Sequence, residues 1–136
     1  MERYFNVTGL CIPEKHYMVD TSNILAYIIK NYIRKEEYFT INRARQYGKT
    51  TTLELLRTRL CNEYIVIDIS FEGKEDYFAS LNALAEGLFF SFRRSLSYEY
   101  PQLAEIFNGS PSTILPIQDL SERITSLCST AEKRLF

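Results

Sequence analysis

The sequence predicts an α/β fold built on a parallel sheet, and three observations point that way. "YFTIN" (residues 38–42) is short, aromatic and β-branched, and reads as a buried strand. A polar loop and a leucine-bearing helical stretch follow it. "YIVIDIS" (residues 64–70) is then a near-continuous apolar run of the kind covered on both faces in parallel sheets. Strand, loop, helix and strand in that order make a β-α-β unit, whose crossover is right-handed.

The chain has 136 residues, enough for one domain with a core, and residues 1–136 are read as one domain. Pro13 blocks helix formation early in the chain. Asp20, Thr21 and Ser22 are candidate caps for a helix whose apolar face is Ile24, Leu25, Ile28, Ile29 and Tyr32. After residues 38–42 and the loop, Leu53, Leu56 and Leu60 recur at three- and four-residue steps and mark a second helix. "FEGKED" reads as a turn. Leu81, Leu84, Ala85, Leu88, Phe92 and Leu96 mark a long amphipathic helix. "NGSPSTILP" is the clearest loop, and Ile117, Leu120, Ile124 and Leu127 mark a last helix. At "EKRLF" a new strand starts. Two confident strands are thin for a doubly wound sheet, so either a further strand was lost or the chain is a fragment of a longer protein.

Composition excludes several classes. Lys plus Arg total 16 against 17 Asp plus Glu, so net charge gives no indication of nucleic-acid or lipid binding. No apolar run approaches the roughly 20 residues needed to cross a bilayer, and the N-terminus lacks the pattern of a secretory signal. Cys11, Cys61 and Cys128 are far apart and form no C-x-x-C pair. That pattern fits a reducing cytoplasm, three semi-buried thiols and no zinc site. His16, the only histidine, reads as a polar loop residue.

The chemistry concentrates in "NRARQYGKTTTL", residues 42–53. A strand-to-helix loop turns successive backbone N–H groups toward one point, and the helix adds the positive end of its dipole. Gly48 lets the backbone approach a phosphate, Lys49 reaches the β- and γ-phosphates, and the Thr50 hydroxyl holds Mg²⁺. The usual pattern has a glycine five residues before Gly48, where this chain has Arg43. Arg43 and Arg45 add positive charge at the loop's mouth, toward phosphate or toward a neighbouring acid. The competing reading is a helix start with a solvated lysine.

Together, "FNVTGLCIPEKHYMVD", "YFTINRARQYGKTTTL" and "YIVIDISFEG" resemble the bacterial AAA-ATPase-like family of P-loop NTPases over nearly the whole chain. Members carry R-x-R-x-[FY]-G-K-[ST] as their Walker A motif, matched by Arg43, Arg45, Tyr47, Gly48, Lys49 and Thr50. They also carry a Tyr-x-Val-Asp element upstream, matched by Tyr17, Val19 and Asp20. The resemblance implies a three-layer αβα fold with a parallel sheet, truncated here before the Walker B strand. It implies an ATP-binding module with its phosphate loop at residues 43–51. The nucleotide-binding residues are then Arg45, Gln46, Tyr47, Gly48, Lys49, Thr50 and Thr51, with Thr50 also the Mg²⁺ ligand and ATP and Mg²⁺ the cofactors. Tyr17 and Asp20 lie near the base on this reading, or serve as a packed aromatic and a helix cap. Family members place a Mg²⁺-binding Asp and a water-activating Glu on a later strand. This chain ends about where that strand begins, so binding with deficient hydrolysis is the expectation. Asp68 reads as structural rather than as a substitute. Two other functions compete: a non-catalytic interaction or scaffold piece that binds no nucleotide, and a small-molecule kinase using Arg93 or Arg94. No protein partner is legible.

Overall fold

The structure, a computed structural model, describes residues 20–42 and 48–136. The chain divides into two compact units, Met1–Asn62 and Glu63–Phe136.

In the first unit, helix α1 (Ser22–Asn31) buries Leu25 and Ile28, and the 3-10 turn Ile33–Lys35 adds Ile33. Helix α2 (Lys49–Leu60) buries Thr52, Leu56 and Leu60, four residues apart and so on one face. The two helices are tied by Arg59, whose guanidinium donates to the Ser22 hydroxyl at 3.0 Å and to the Ser22 carbonyl at 3.4 Å. At the start of α1, Thr21 takes the cap position without bonding through its side chain. Asp20 does that work from one residue earlier, accepting the Ser22 N–H at 2.9 Å.

Residues 38–42 are not a strand. They lack regular structure, Tyr38 is fully exposed, and Phe39 is half-buried with its ring 5.5 Å from that of Tyr32. A strand's N–H and C=O groups need a neighbouring strand, and none lies among the described residues of this unit. β-propensity without a partner leaves an aromatic coil.

The second unit is helical around one core. Helix α3 (Leu81–Glu99) starts at Ser80, whose Oγ accepts the Ala83 N–H at 3.0 Å. It ends at Tyr100, where Pro101 forbids continuation and opens the short helix α4 (Pro101–Ala104). A 3-10 turn at Glu105–Phe107 and a loop lead to α5 (Pro116–Thr130), again with proline in the first turn. Ile65, Ala85, Phe89, Leu96, Ala104, Phe107, Leu120 and Leu127 form the core. Phe107 stands between two rings of α3, edge-on to Phe89 at 5.6 Å and stacked with Phe92 at 5.5 Å. The helix face differs from the one the spacing suggests at its start. Leu81 is exposed, while Phe89 is fully buried.

Two short strands, β1 (Tyr64–Ile65) and β2 (Arg134–Leu135), pair in parallel with Tyr64 opposite Arg134 and Ile65 opposite Leu135. Phe136 extends the ladder, donating to the Ile65 carbonyl and accepting from Ile67, both at 2.8 Å. The strand starting at "EKRLF" is therefore present. The run 64–70 forms a strand only where this partner reaches it. Beyond that point the Asp68 N–H turns to the Ser95 hydroxyl of α3 at 3.4 Å.

The three-layer αβα architecture is thus overturned. The described residues are mostly helical, and their only sheet has two strands. The β-α-β unit expected over 38–70 does not form among the described residues, since residues 38–42 belong to no strand there. A layered sheet is a property of several strands satisfying one another, which no single apolar run can supply.

Candidate functional site

The N-terminus of α2 carries the sequence-predicted residues. Gly48 is its N-cap, with φ +76° and ψ 24°. Among the described residues, a Cβ at Gly48 would meet nothing within 4 Å. Glycine is required here by the backbone, since a left-handed conformation is costly for most other residues, and not by crowding.

Lys49 and Thr50 follow on the first turn, both exposed, and Thr51 is half-buried beside them. Thr52 turns inward. Its N–H and its hydroxyl both donate to the Gly48 carbonyl, at 2.9 and 2.8 Å, and fasten the glycine to the helix. Sequence reading passed over Thr52, although a threonine four residues after the glycine is the available signal. Gly48, Lys49, Thr50 and Thr51 are therefore brought together as a single turn. Arg45, Gln46 and Tyr47, with Arg43, lie outside the described residues.

As a helix start this one is locally unfavourable. Among the described residues no side chain caps it, its first turn contains no acid, and its first residue is a lysine. A stable start has an Ser, Thr, Asp or Asn cap, and acids there gain about 0.3–1 kcal/mol from the dipole, whereas a cation opposes it. The N–H groups of the first turn have no carbonyl four residues back within the helix. Chemically, the turn offers N–H donors, an ammonium and a hydroxyl to one anion.

The other candidates lie elsewhere. Asp20 is joined to the far end of α2 through Ser22 and Arg59. Ten residues separate Arg59 from Lys49, about 15 Å along a helix. Its carboxyl is held below the usual carboxylate range by the Ser22 backbone N–H, then by the Ser22 hydroxyl, with a smaller contribution from Arg59. That is the behaviour of a helix cap. Tyr17 lies outside the described residues, as do Cys11 and His16. Asp68 belongs to the second unit and is exposed. Arg93 donates to the Gly109 carbonyl at 3.5 Å, and Arg94 is exposed on α3. Cys61 and Cys128 form no disulfide with one another, and the Cys61 thiol donates to the Thr58 carbonyl at 3.2 Å.

Among the described residues no group of three His, Cys, Asp or Glu could hold a metal ion. Thr50, the one residue expected to ligate Mg²⁺, is exposed on the first turn of α2. No helix among the described residues is long and apolar enough to cross a membrane. No family model, curated protein or solved structure matches the chain.

Proposed function

We propose that the first turn of α2 binds the phosphates of a nucleotide, ATP with Mg²⁺. One observation carries this reading: a left-handed Gly48 opens directly into Lys49 and Thr50, both exposed, at a helix start whose first turn has no acid and which no side chain among the described residues caps. The missing side-chain cap and the first-turn lysine weaken the helix start, and a bound anion would offset both. The resemblance of residues 43–50 to the Walker A form of the bacterial AAA-ATPase-like proteins supports ATP as the anion. Lys49 would meet the β- and γ-phosphates, Thr50 the metal, and Arg45, Gln46, Tyr47 and Thr51 the rest of the phosphate chain. The reading rests on a helix terminus and its donors, and needs no layered sheet.

Titration with Mg·ATP tests it, followed by calorimetry and by thermal unfolding. Binding is expected to raise the melting temperature, by about 2.7 kcal/mol of stabilisation at a hundredfold excess over Kd. Lys49→Ala removes a charge-assisted contact of about 1.5–3 kcal/mol, which weakens binding about ten- to a hundredfold. If Mg·ATP neither binds nor moves the transition, and Lys49→Ala is silent, the chain is better read as a non-catalytic interaction module.

A further inference from the structure

In the second unit, the 3-10 turn after α4 ends at Asn108 and Gly109, both exposed. Asn108 is the only one of the chain's seven asparagines that precedes a glycine. It stands outside any helix or strand, in extended backbone with φ −70° and ψ 158°. Gly109 has φ +75° and no Cβ to shield its nitrogen. Among the described residues a Cβ there would meet nothing within 4 Å, and the Gly109 N–H donates to no backbone carbonyl. Asn23 and Asn82, by contrast, are held inside helices.

The groups around this peptide favour one reaction. Arg123 donates to the Asn108 carbonyl at 3.1 Å, and Arg93 to the Gly109 carbonyl at 3.5 Å. The Asn108 carbonyl and the Gly109 N–H belong to one amide. When that amide loses its proton, much of the negative charge sits on the carbonyl oxygen, where the Arg123 guanidinium stabilises it. One contact restrains the side chain: the Asn108 Nδ2 donates to the Glu105 carboxylate. Both residues are exposed, so water replaces that bond at small cost.

We propose that Asn108–Gly109 is a site of spontaneous deamidation. The deprotonated Gly109 nitrogen attacks the Asn108 Cγ. The N–Cγ bond forms, the Cγ–Nδ2 bond breaks, and ammonia leaves with the proton. Water then opens the cyclic imide at one or the other carbonyl carbon, which gives aspartate or isoaspartate at position 108. Each product adds one negative charge to the loop between α4 and α5, and isoaspartate also lengthens its main chain by one methylene. The site does not depend on nucleotide binding at α2.

The test is a timed incubation of the whole chain from mildly acidic to mildly alkaline pH, with peptide mass spectrometry corrected by a zero-time sample. Trypsin cuts after Arg94 and Arg123, so the peptide of residues 95–123 carries Asn108 as its single asparagine. That peptide is expected to gain one dalton, in proportion to hydroxide concentration, and to become a substrate for an isoaspartyl methyltransferase. Asn108→Gln should abolish the gain, since its longer side chain closes a ring far more slowly. The folded chain is expected to react at a rate above, or within about tenfold of, that of the same chain unfolded in guanidinium chloride. No mass gain in this peptide, the same gain in Asn108→Gln, or a folded rate more than about tenfold below the unfolded one, the mark of a loop that must first open, would each overturn the proposal. The comparison of folded and unfolded rates uses the unsubstituted chain, so it holds even where the variant fails to fold.

Discussion

Gly87 lies buried in the middle of α3, where a glycine costs about 0.8–1.0 kcal/mol relative to alanine. Gly87→Ala should therefore stabilise the helix unless something occupies the space. Tyr77 does. A Cβ on Gly87 would fall 2.4, 2.5 and 2.6 Å from the Cε2, Cδ2 and Cζ atoms of its ring. Carbon atoms rest at about 3.5–4.0 Å, so the ring must retreat by about 1 Å or more. Its position is set by the 3-10 turn Glu75–Phe78, and the Lys74 ammonium sits 5.2 Å from its centroid. Overpacking costs about 1–3 kcal/mol, and losing the Lys74 contact about 0.5–1 more. The clash exceeds the propensity gain, and a net loss of about 1 kcal/mol is expected. For a unit of this size that lowers the melting temperature by about 4–8 °C in a circular-dichroism melt. In a Tyr77→Ala background the obstacle is gone, and Gly87→Ala should instead stabilise by about 1 kcal/mol. The cycle then shows a coupling of about 2 kcal/mol. A higher melting temperature for Gly87→Ala alone, or the same change in both backgrounds, would refute the packing argument.

Three further outcomes are expected. Arg123 joins α5 to the turn after α4, donating to the Ile106 carbonyl at 2.7 Å, the Asn108 carbonyl at 3.1 Å and Asp119 at 3.0 Å, with its guanidinium 4.8 Å over the Phe89 ring. Arg123→Ala should cost about 2–3 kcal/mol in chemical denaturation, and Arg123→Lys should not restore it, since an ammonium cannot reproduce the fork. Burial pushes the Asp119 carboxyl up, but the Ser112 N–H and Arg123 outweigh it and hold it below the usual carboxylate range. Its folded value is depressed, so its contribution is complete above the ordinary carboxylate range and is lost as pH falls through the folded value. The stability gap between the unsubstituted chain and Asp119→Asn should be flat near neutrality and shrink below about pH 4. Ser80→Ala removes the one side-chain cap of α3 and should cost about 1 kcal/mol, with faster hydrogen exchange at Ala83.

The long helices were legible in the residues, though the short helix opened by Pro101 was not. Leu56 and Leu60, Ala85 and Leu96, and Leu120 and Leu127 recur at helical spacing, and each pair is buried. Pro101 and Pro116 open helices, and the loop of residues 108–115 lies where glycine and proline cluster. The first turn of α2 was legible for the same reason: Gly48, Lys49 and Thr50 are consecutive, and a helix start is settled within one turn of chain. These are local matters, because each helical N–H finds its acceptor four residues away.

Strands and contacts between elements depended on the tertiary structure. Residues 38–42 have the composition of a strand, and no second strand lies among the described residues of their unit. Residues 64–65 have one only because residues 134–135 return to them. Phe89 rather than Leu81 enters the core because Phe107 and α5 meet α3 on that side. Arg123 finds its carbonyls across a turn, and Tyr77 meets Gly87, by packing that no spacing encodes. Such hydrogen bonds and contacts close over long stretches of chain. Their formation depends on what the whole fold brings alongside, which local propensity does not determine.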